Sequence, residues 1–180
     1  MKKDLKPIDV KDFETKIFKL WDDQWFLLSV GDFERGYYNS MVISWGSLGY
    51  MWSVPFAQVV VRPTRYTYQF INKYQDFTLC AFPEKYKEDL SYLGSHSGRD
   101  EDKLSKTSLT PCASDHVKSP SFEEAELIIE CQKMYQQDMD PQKFLKEFIH
   151  TKYQENDYHR IFFGEIVHIL TCQGHEEKNK

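Results

Sequence analysis

The sequence predicts a mainly β fold, a closed or partly closed barrel with peripheral helices, and three observations carry that expectation. About six short apolar runs of strand length recur along the 180 residues. They do not alternate regularly with long helices, as a doubly wound nucleotide-binding fold would require. A composition that is 41% hydrophobic and 16% aromatic is ample for one core in a chain of this length.

Residues 13–21 carry Phe13, Ile17, Phe18, Leu20 and Trp21 at helical spacing, ahead of a strand over 25–30. Over 38–45, Met41, Ile43 and Trp45 alternate with Ser40, Val42 and Ser44, the pattern of a half-buried strand. That strand is expected to end at Gly46 in a glycine-containing loop through Gly49. A strand over 56–61 is stopped by Arg62-Pro63, because proline lacks the ladder donor and fixes φ. Tyr66, Phe70 and Ile71 then repeat at helical spacing over 64–74, with Thr64 as the N-cap. After a strand over 77–82 come a short amphipathic helix over 84–93, a polar loop over 94–102 and a helix through Lys103 and Leu104. The stretch 112–121, flanked by Pro111 and containing Pro120, reads as a surface connection. Two long strands, 125–136 and 158–172, are separated by a helix over 141–152 that starts with Pro141 in the favoured first-turn position. The whole chain, 1–180, is expected to be one domain with its core over about 24–170 and a charged tail over 173–180 that frays.

A formal net charge of −5 argues against a general nucleic-acid binder, so any phosphate this chain holds belongs in a local basic pocket. Cys80, Cys112, Cys131 and Cys172 show no CxxC pair and no Cys/His spacing of a zinc site. No metal is expected from that pattern, and no disulfide framework. The charged N-terminus is followed by no long apolar run, so neither a signal peptide nor a membrane span is expected. A cytoplasmic protein with reduced thiols is the resulting expectation.

Three stretches carry chemistry. In Arg62-Pro63-Thr64-Arg65-Tyr66-Thr67 a strand end runs into a helix start with two guanidinium groups and hydroxyls, a plausible anion site. The competing reading is a capped helix with solvated arginines. In Ser95-His96-Ser97-Gly98-Arg99-Asp100-Glu101-Asp102-Lys103, hydroxyls, cations and a glycine that lets the backbone approach converge as a phosphomonoester needs. The same string also has capping-box spacing, Ser97 to Asp100, and on that reading simply starts a helix. In Asn39-Ser40-Met41-Val42-Ile43-Ser44-Trp45-Gly46-Ser47, backbone amides and small side chains adjoin an aromatic ring, which suits a flat heteroaromatic ligand and equally suits ordinary core packing. His96 and His159 pair with no Cys, Asp or Ser at a motif spacing. No dinucleotide fingerprint, Walker loop or nucleophile elbow is present.

Taken in chain order, from Asn39 through Arg62 to Ser95, the three stretches resemble the flavin reductase-like, FMN-binding split-barrel family, including its flavoredoxin branch, over roughly 24–170. The resemblance implies a split β-barrel and FMN as bound cofactor. It implies that Asn39, Met41, Val42, Ile43, Ser44, Trp45, Gly46 and Ser47 line the flavin ring and ribityl chain. Arg62 and Tyr66 would approach the flavin's polar end, while Ser95, His96, Ser97, Gly98 and Lys103 hold the phosphate, with Arg99 secondary. A homodimer is implied as well, with Tyr158 and His159 reaching a site from the partner chain. Val42 departs from the family pattern, where threonine is common, and removes one flavin hydrogen bond. The 141–152 helix is expected as an insertion over the barrel mouth or dimer surface. No catalytic side chain is required. FAD would call for a dinucleotide fingerprint, so FMN fits better.

Two activities follow from the resemblance. One is an NAD(P)H-dependent flavin reductase that passes hydride from NADH or NADPH to FMN and electrons to an unknown acceptor. The other is a flavoredoxin-like electron carrier without direct nicotinamide oxidation. A barrel that has lost flavin is a third possibility.

Overall fold

A computed structural model describes residues 5–172; the expected fraying of 173–180 lies outside the described residues. Among the described residues there are ten strands: β1 (Leu5–Ile8), β2 (Phe26–Asp32), β3 (Tyr37–Ile43), β4 (Gly46–Met51), β5 (Val54–Val61), β6 (Asp76–Ala81), β7 (Pro111–Cys112), β8 (Ser121–Phe122), β9 (Leu127–Asp138) and β10 (Arg160–Cys172). Four short α-helices accompany them: α1 (Ile17–Lys19), α2 (Thr67–Lys73), α3 (Lys87–Ser95) and α4 (Glu147–His150).

Eight strands form one antiparallel sheet in the order β3-β2-β6-β9-β10-β5-β4, with β1 on the C-terminal half of β10; β7 and β8 pair separately. The two outermost strands, β3 and β4, follow one another in the chain through Ser44 and Trp45, yet no ladder joins them among the described residues. The sheet is therefore a split barrel, as expected.

Strand alternation separates two cores. Leu28, Val30, Ile43, Val59, Phe77, Leu79, Ile129 and Phe162 fill the barrel. Leu27, Cys80, Ile128 and Leu170 form a row on the other face, covered by Leu90 and Leu93 of α3 and by Leu109 and Phe122. The register confirms the row: Val42 lies opposite Leu27, Leu27 opposite Cys80, Cys80 opposite Ile128 and Ile128 opposite Leu170.

Several sequence expectations are corrected. The glycine-containing stretch after Trp45 is not a loop but strand β4. Its glycines mark close approach: a Cβ on Gly46 would sit 2.3 Å from the Trp21 ring, and one on Gly49 would sit 2.8 Å from the Phe56 ring. The expected 141–152 helix is only a 3-10 turn, Pro141–Lys143, followed by the four-residue α4. Asp140 does cap that turn, accepting from the Gln142 N–H at 2.9 Å. The 13–21 helix reduces to α1 running into a π turn, Leu20–Gln24, which ends at Trp25 with φ 67°. The helix expected over 64–74 begins at Thr67, and Thr64 donates its hydroxyl to Asp157 at 3.4 Å instead of capping. The helix through Lys103 and Leu104 is a single 3-10 turn, Leu104–Lys106. The four cysteines form no disulfide with one another. Among the described residues no helix is long and apolar enough to cross a membrane.

Candidate functional site

Two clefts meet along β3. One, about 270 Å³, is lined by Asn39, Met41 and Val42 from β3, by Thr64 to Thr67, and by Ser95 to Arg99 with Lys103. The other, about 240 Å³, is lined by Met41 to Trp45, Val60, Arg62, Arg65 and His159. They share Met41, Val42 and Arg65, and so form two ends of one trough. Together they match the size of small-molecule sites, about 300–1,000 Å³.

The first end is built from short-range structure. After α3, residues 97–100 make a tight turn in which Asp100 N–H donates to Ser97 O at 3.1 Å and Arg99 N–H to Ser97 Oγ at 3.2 Å. This is a hydroxyl-stabilised turn, and the capping-box reading of Ser97 and Asp100 fails. Gly98 is required: a Cβ there would lie 2.3 Å from Asn39 Oδ1. Asn39 is itself fixed by donating to Thr67 Oγ1 at 2.7 Å. Arg99 reaches across to Thr64 O at 3.0 Å and lies over the Tyr66 ring, tying the loop to the 62–67 turn.

Lys103 is the charge at the base. It is only 5% exposed and donates to Leu93 O at 2.7 Å and His96 O at 3.0 Å. Burial, reinforced by the nearby Arg65 cation and opposed by Glu101, brings its pKa down to about 8. A cation held out of water beside a second cation is an arrangement that an anion would relieve. Ser95 and His96 are less available: Ser95 Oγ donates to Ser91 O and Tyr92 O, and His96 stacks on Tyr92 at 4.0 Å.

The second end depends on distant residues. Arg62 donates to Asp157 Oδ1 at 2.6 Å and to Lys152 O at 2.8 Å, and its guanidinium lies over the Tyr153 ring. Tyr153 OH meets His159 Nδ1 at 2.8 Å, and the His159 ring lies 5.4 Å from that of Trp45. His159 is 7% exposed; burial first, then the Arg62 and Arg65 cations, bring its pKa to about 4, so it is neutral near pH 7. Trp45 stays 46% exposed, presenting an indole at the open mouth of the trough.

The structure thus gathers Asn39, Met41, Val42, Ile43, Ser44, Trp45, Arg62, Tyr66, Ser95, His96, Ser97, Gly98, Arg99, Lys103 and His159 onto one trough. Gly46 packs on Trp21, and Ser47 donates to Gln58 at 3.0 Å; neither lines it. His159 reaches the trough within its own chain. Val42 faces α3, where a Cβ on Gly94 would touch it at 3.6 Å, so a branched apolar side chain is explained by packing. Arg65, one of the two guanidinium groups in the expected anion stretch but not among the expected flavin contacts, joins Met41 and Val42 in lining both ends. An adjoining 520 Å³ cleft presents Glu101 and Asp102 along with Lys103 and is less suited to an anion.

Known proteins agree with this architecture. The flavin reductase like domain model matches residues 35–179. An uncharacterized protein of Archaeoglobus fulgidus is 29% identical over 124 residues, 66% of this chain and 60% of that protein, so the match spans less than two thirds of the relative. Flavoredoxin of Desulfovibrio vulgaris (Miyazaki F) superposes with a TM-score of 0.63 at 22% identity, covering 90% of this chain and 75% of its own. An FMN-binding protein from Thermus thermophilus with bound 1-cyclohex-2-enone gives 0.65 at 21% identity, covering 94% and 82%. The NADH:FAD oxidoreductase SgcE6 of Streptomyces globisporus C-1027 gives 0.62 at 14% identity, covering 81% and 73%. With the family model covering most of the sequence and the sheet forming a split barrel, the chain belongs to the flavin reductase-like domain family.

Proposed function

We propose that this protein binds FMN in the trough along β3 and acts as an NAD(P)H-dependent flavin reductase. The observation that carries the reading is the polarity of the trough: a buried lysine, two arginines and a glycine turn at one end, an exposed indole and a neutral imidazole at the other. A phosphomonoester joined to a flat ring has that polarity. The donor set fits the group, since Arg65, Lys103, Ser97, Thr64 and the turn amides offer charge and hydrogen bonds to a phosphate. Main-chain groups of Met41 to Ser44 would meet the ribityl chain and the ring's polar edge, with Trp45 and His159 beside the ring.

Bound FMN supplies hydride acceptance from reduced nicotinamide and onward electron transfer. This chain's own residues bind and orient. Lys103 and Arg65 neutralise the phosphate, and Gly98 brings the backbone close to it. Arg62, held by Asp157 and Lys152 O, keeps the 152–159 segment packed beside the ring end and limits water there. His159 stays neutral and holds Tyr153 by their hydrogen bond, with no proton to give near pH 7. The similarity to an NADH:FAD oxidoreductase supports nicotinamide as the donor. The homodimer that the resemblance implies belongs to the same proposal.

The test is the visible spectrum of the purified chain after FMN is added and excess removed. Retained flavin bands at one FMN per chain support the proposal, and no retention overturns it. Stopped-flow mixing of the loaded protein with NADH or NADPH then decides the activity: rapid bleaching supports the reductase, and none makes the protein a flavoredoxin-like carrier.

A further inference from the structure

The sheet face outside the barrel carries a second row, two residues from the apolar one under α3. Ser40 lies opposite Ser29, Ser29 opposite Thr78, Thr78 opposite Glu130 and Glu130 opposite His168. Five adjacent strands thus present only polar side chains in line. This row is not a solvated face, since Ser29, Thr78 and Glu130 are fully buried. The segment 113–120 covers it.

Buried polar groups need partners, and most of this row has them. Ser29 and Ser40 hydroxyls meet at 2.7 Å, and Thr78 donates to Pro120 O at 2.5 Å. Glu130 accepts the Asp115 N–H at 2.9 Å on one oxygen and the His116 N–H at 2.7 Å on the other. His168 is the exception. Its Nδ1 is buried with no hydrogen-bond partner, 3.7 Å from Glu130 Oε1 and 3.8 Å from Asp115 Oδ2. A register shift between Ile166 and His168 turns that ring onto the Glu130 side; such bulges re-aim side chains.

We propose that Asp115, Glu130 and His168 bind a divalent first-row transition ion of the zinc type. The three donor atoms all lie within 4.8 Å of one another. Ligand atoms on a tetrahedral zinc sit roughly 3.4 Å apart; the two distances to His168 Nδ1, 3.7 and 3.8 Å, need only small adjustments, and the half-exposed Asp115 side chain turns in to close the wider gap to Glu130. One imidazole nitrogen with carboxylate oxygens suits zinc and its neighbours, whereas magnesium and calcium take oxygen alone. The backbone donors on Glu130 already orient its carboxylate, as the surroundings of metal ligands do. Asp115, about half exposed, leaves a way in and a position for water. A second imidazole, His116, stands beside the site with its ring 4.4 Å from that of His168.

The ion's place in the fold gives it a role. Segment 113–120 is anchored to β2 and β6: Phe33 N–H donates to Lys118 O, Gly31 N–H to Ser119 Oγ, and Ser119 to Asp76 Oδ1. A metal joining Asp115 to Glu130 and His168 fastens the same segment to β9 and β10, stapling four strands across their outer face.

The experiment uses the full chain without an affinity tag, treated with EDTA and dialysed, then titrated calorimetrically with ZnCl2. One zinc per chain, a raised melting temperature and no response to MgCl2 are expected. Co2+ substitution should give a visible d–d band with no thiolate charge-transfer band. Asp115→Asn and His168→Gln should each weaken zinc binding at least tenfold with unchanged far-UV circular dichroism; Asp115, on the covering segment, keeps the test valid if His168→Gln fails to fold. No zinc binding, binding untouched in Asp115→Asn, or a cobalt–thiolate band would overturn the site.

Discussion

The two ends of the trough differ in how they are held. The phosphate end is made of two short stretches each continuous in sequence, the 62–67 turn and the 97–103 loop, drawn together by Arg99 on Thr64 O. The ring end is held by distant pairing, with Arg62 bound to Asp157 95 positions away and His159 bound to Tyr153. The arginines show the contrast best. Arg62 is committed to an ion pair 2.6 Å long, while Arg65, three residues on, lines both clefts and faces Lys103 electrostatically. One end should therefore lose ligand when mutated, and the other should lose stability.

The largest effect is expected at the phosphate end. Arg65→Ala and Lys103→Met each remove a charge-assisted contact worth about 1.5–3 kcal/mol, so FMN should bind roughly 10- to 150-fold more weakly. Fluorescence quenching titrations would measure this, and for Arg65→Ala a urea midpoint within a few tenths of a molar of the parent would confirm that binding alone has changed, whereas Lys103→Met also leaves Leu93 O and His96 O without their donor. Equal losses in stability and binding would erase the contrast.

At the ring end the order reverses. Arg62→Ala leaves Asp157, whose side chain is 14% exposed, without the guanidinium that holds its pKa below the usual carboxylate value. Partial solvent access makes this smaller than breaking a fully buried pair, and about 2 kcal/mol is expected in urea unfolding. FMN affinity should change only severalfold, far less than for Arg65→Ala.

His159 gives the same end a pH signature. Its folded pKa of about 4 lies below the ordinary value of 6.5, so the unfolded chain takes up the proton first. Stability is full above pH 6.5 and declines as pH falls toward 4, by about 2 kcal/mol between pH 7 and 5. Asp157 and Asp138, both lowered by arginine partners, lose their contribution only further toward acid. His159→Gln should flatten the pH 5–7 segment of the unfolding profile, and an unchanged slope would contradict the buried neutral ring.

Lys103 supplies a weaker, opposite signature. With a folded pKa of about 8 it is mostly charged at pH 7 and mostly neutral at pH 9. FMN affinity should therefore fall a fewfold over that range, and the fall should vanish in Lys103→Met.

The same contrast explains what the sequence disclosed. The phosphate end was legible because each of its two stretches carries its donors within a few consecutive residues, and the strand pattern of 38–45 was legible because alternation is local. Both arginines were read as an anion pair, but Arg62 was preferred over Arg65 as the flavin contact because nothing near them in sequence tells them apart; the distinction lies in Asp157. Tyr153 and Asp157 were hidden for the same reason. Strand β4 was misread because its glycines, demanded by Trp21 and Phe56, look like turn residues. The 141–152 segment has the composition of a helix, yet aromatic packing of Phe144 on Tyr153 and Tyr158 breaks it into turns. The Glu130–His168 pairing depends on a bulge, which alternation alone cannot reveal.

The smallest effect draws the boundary of the trough. Ser47 stands in the stretch that the sequence assigned to the flavin, yet its hydroxyl donates to Gln58 within the β4–β5 ladder and lines neither cleft. Replacing it with alanine removes a part-buried hydrogen bond worth about 1 kcal/mol of stability. Because that bond faces away from the ligand, FMN affinity should stay within twofold of the parent. A tenfold loss in Ser47→Ala would extend the binding surface past Trp45 onto β4, and the ring would then lie across the seam between β3 and β4 instead of against His159.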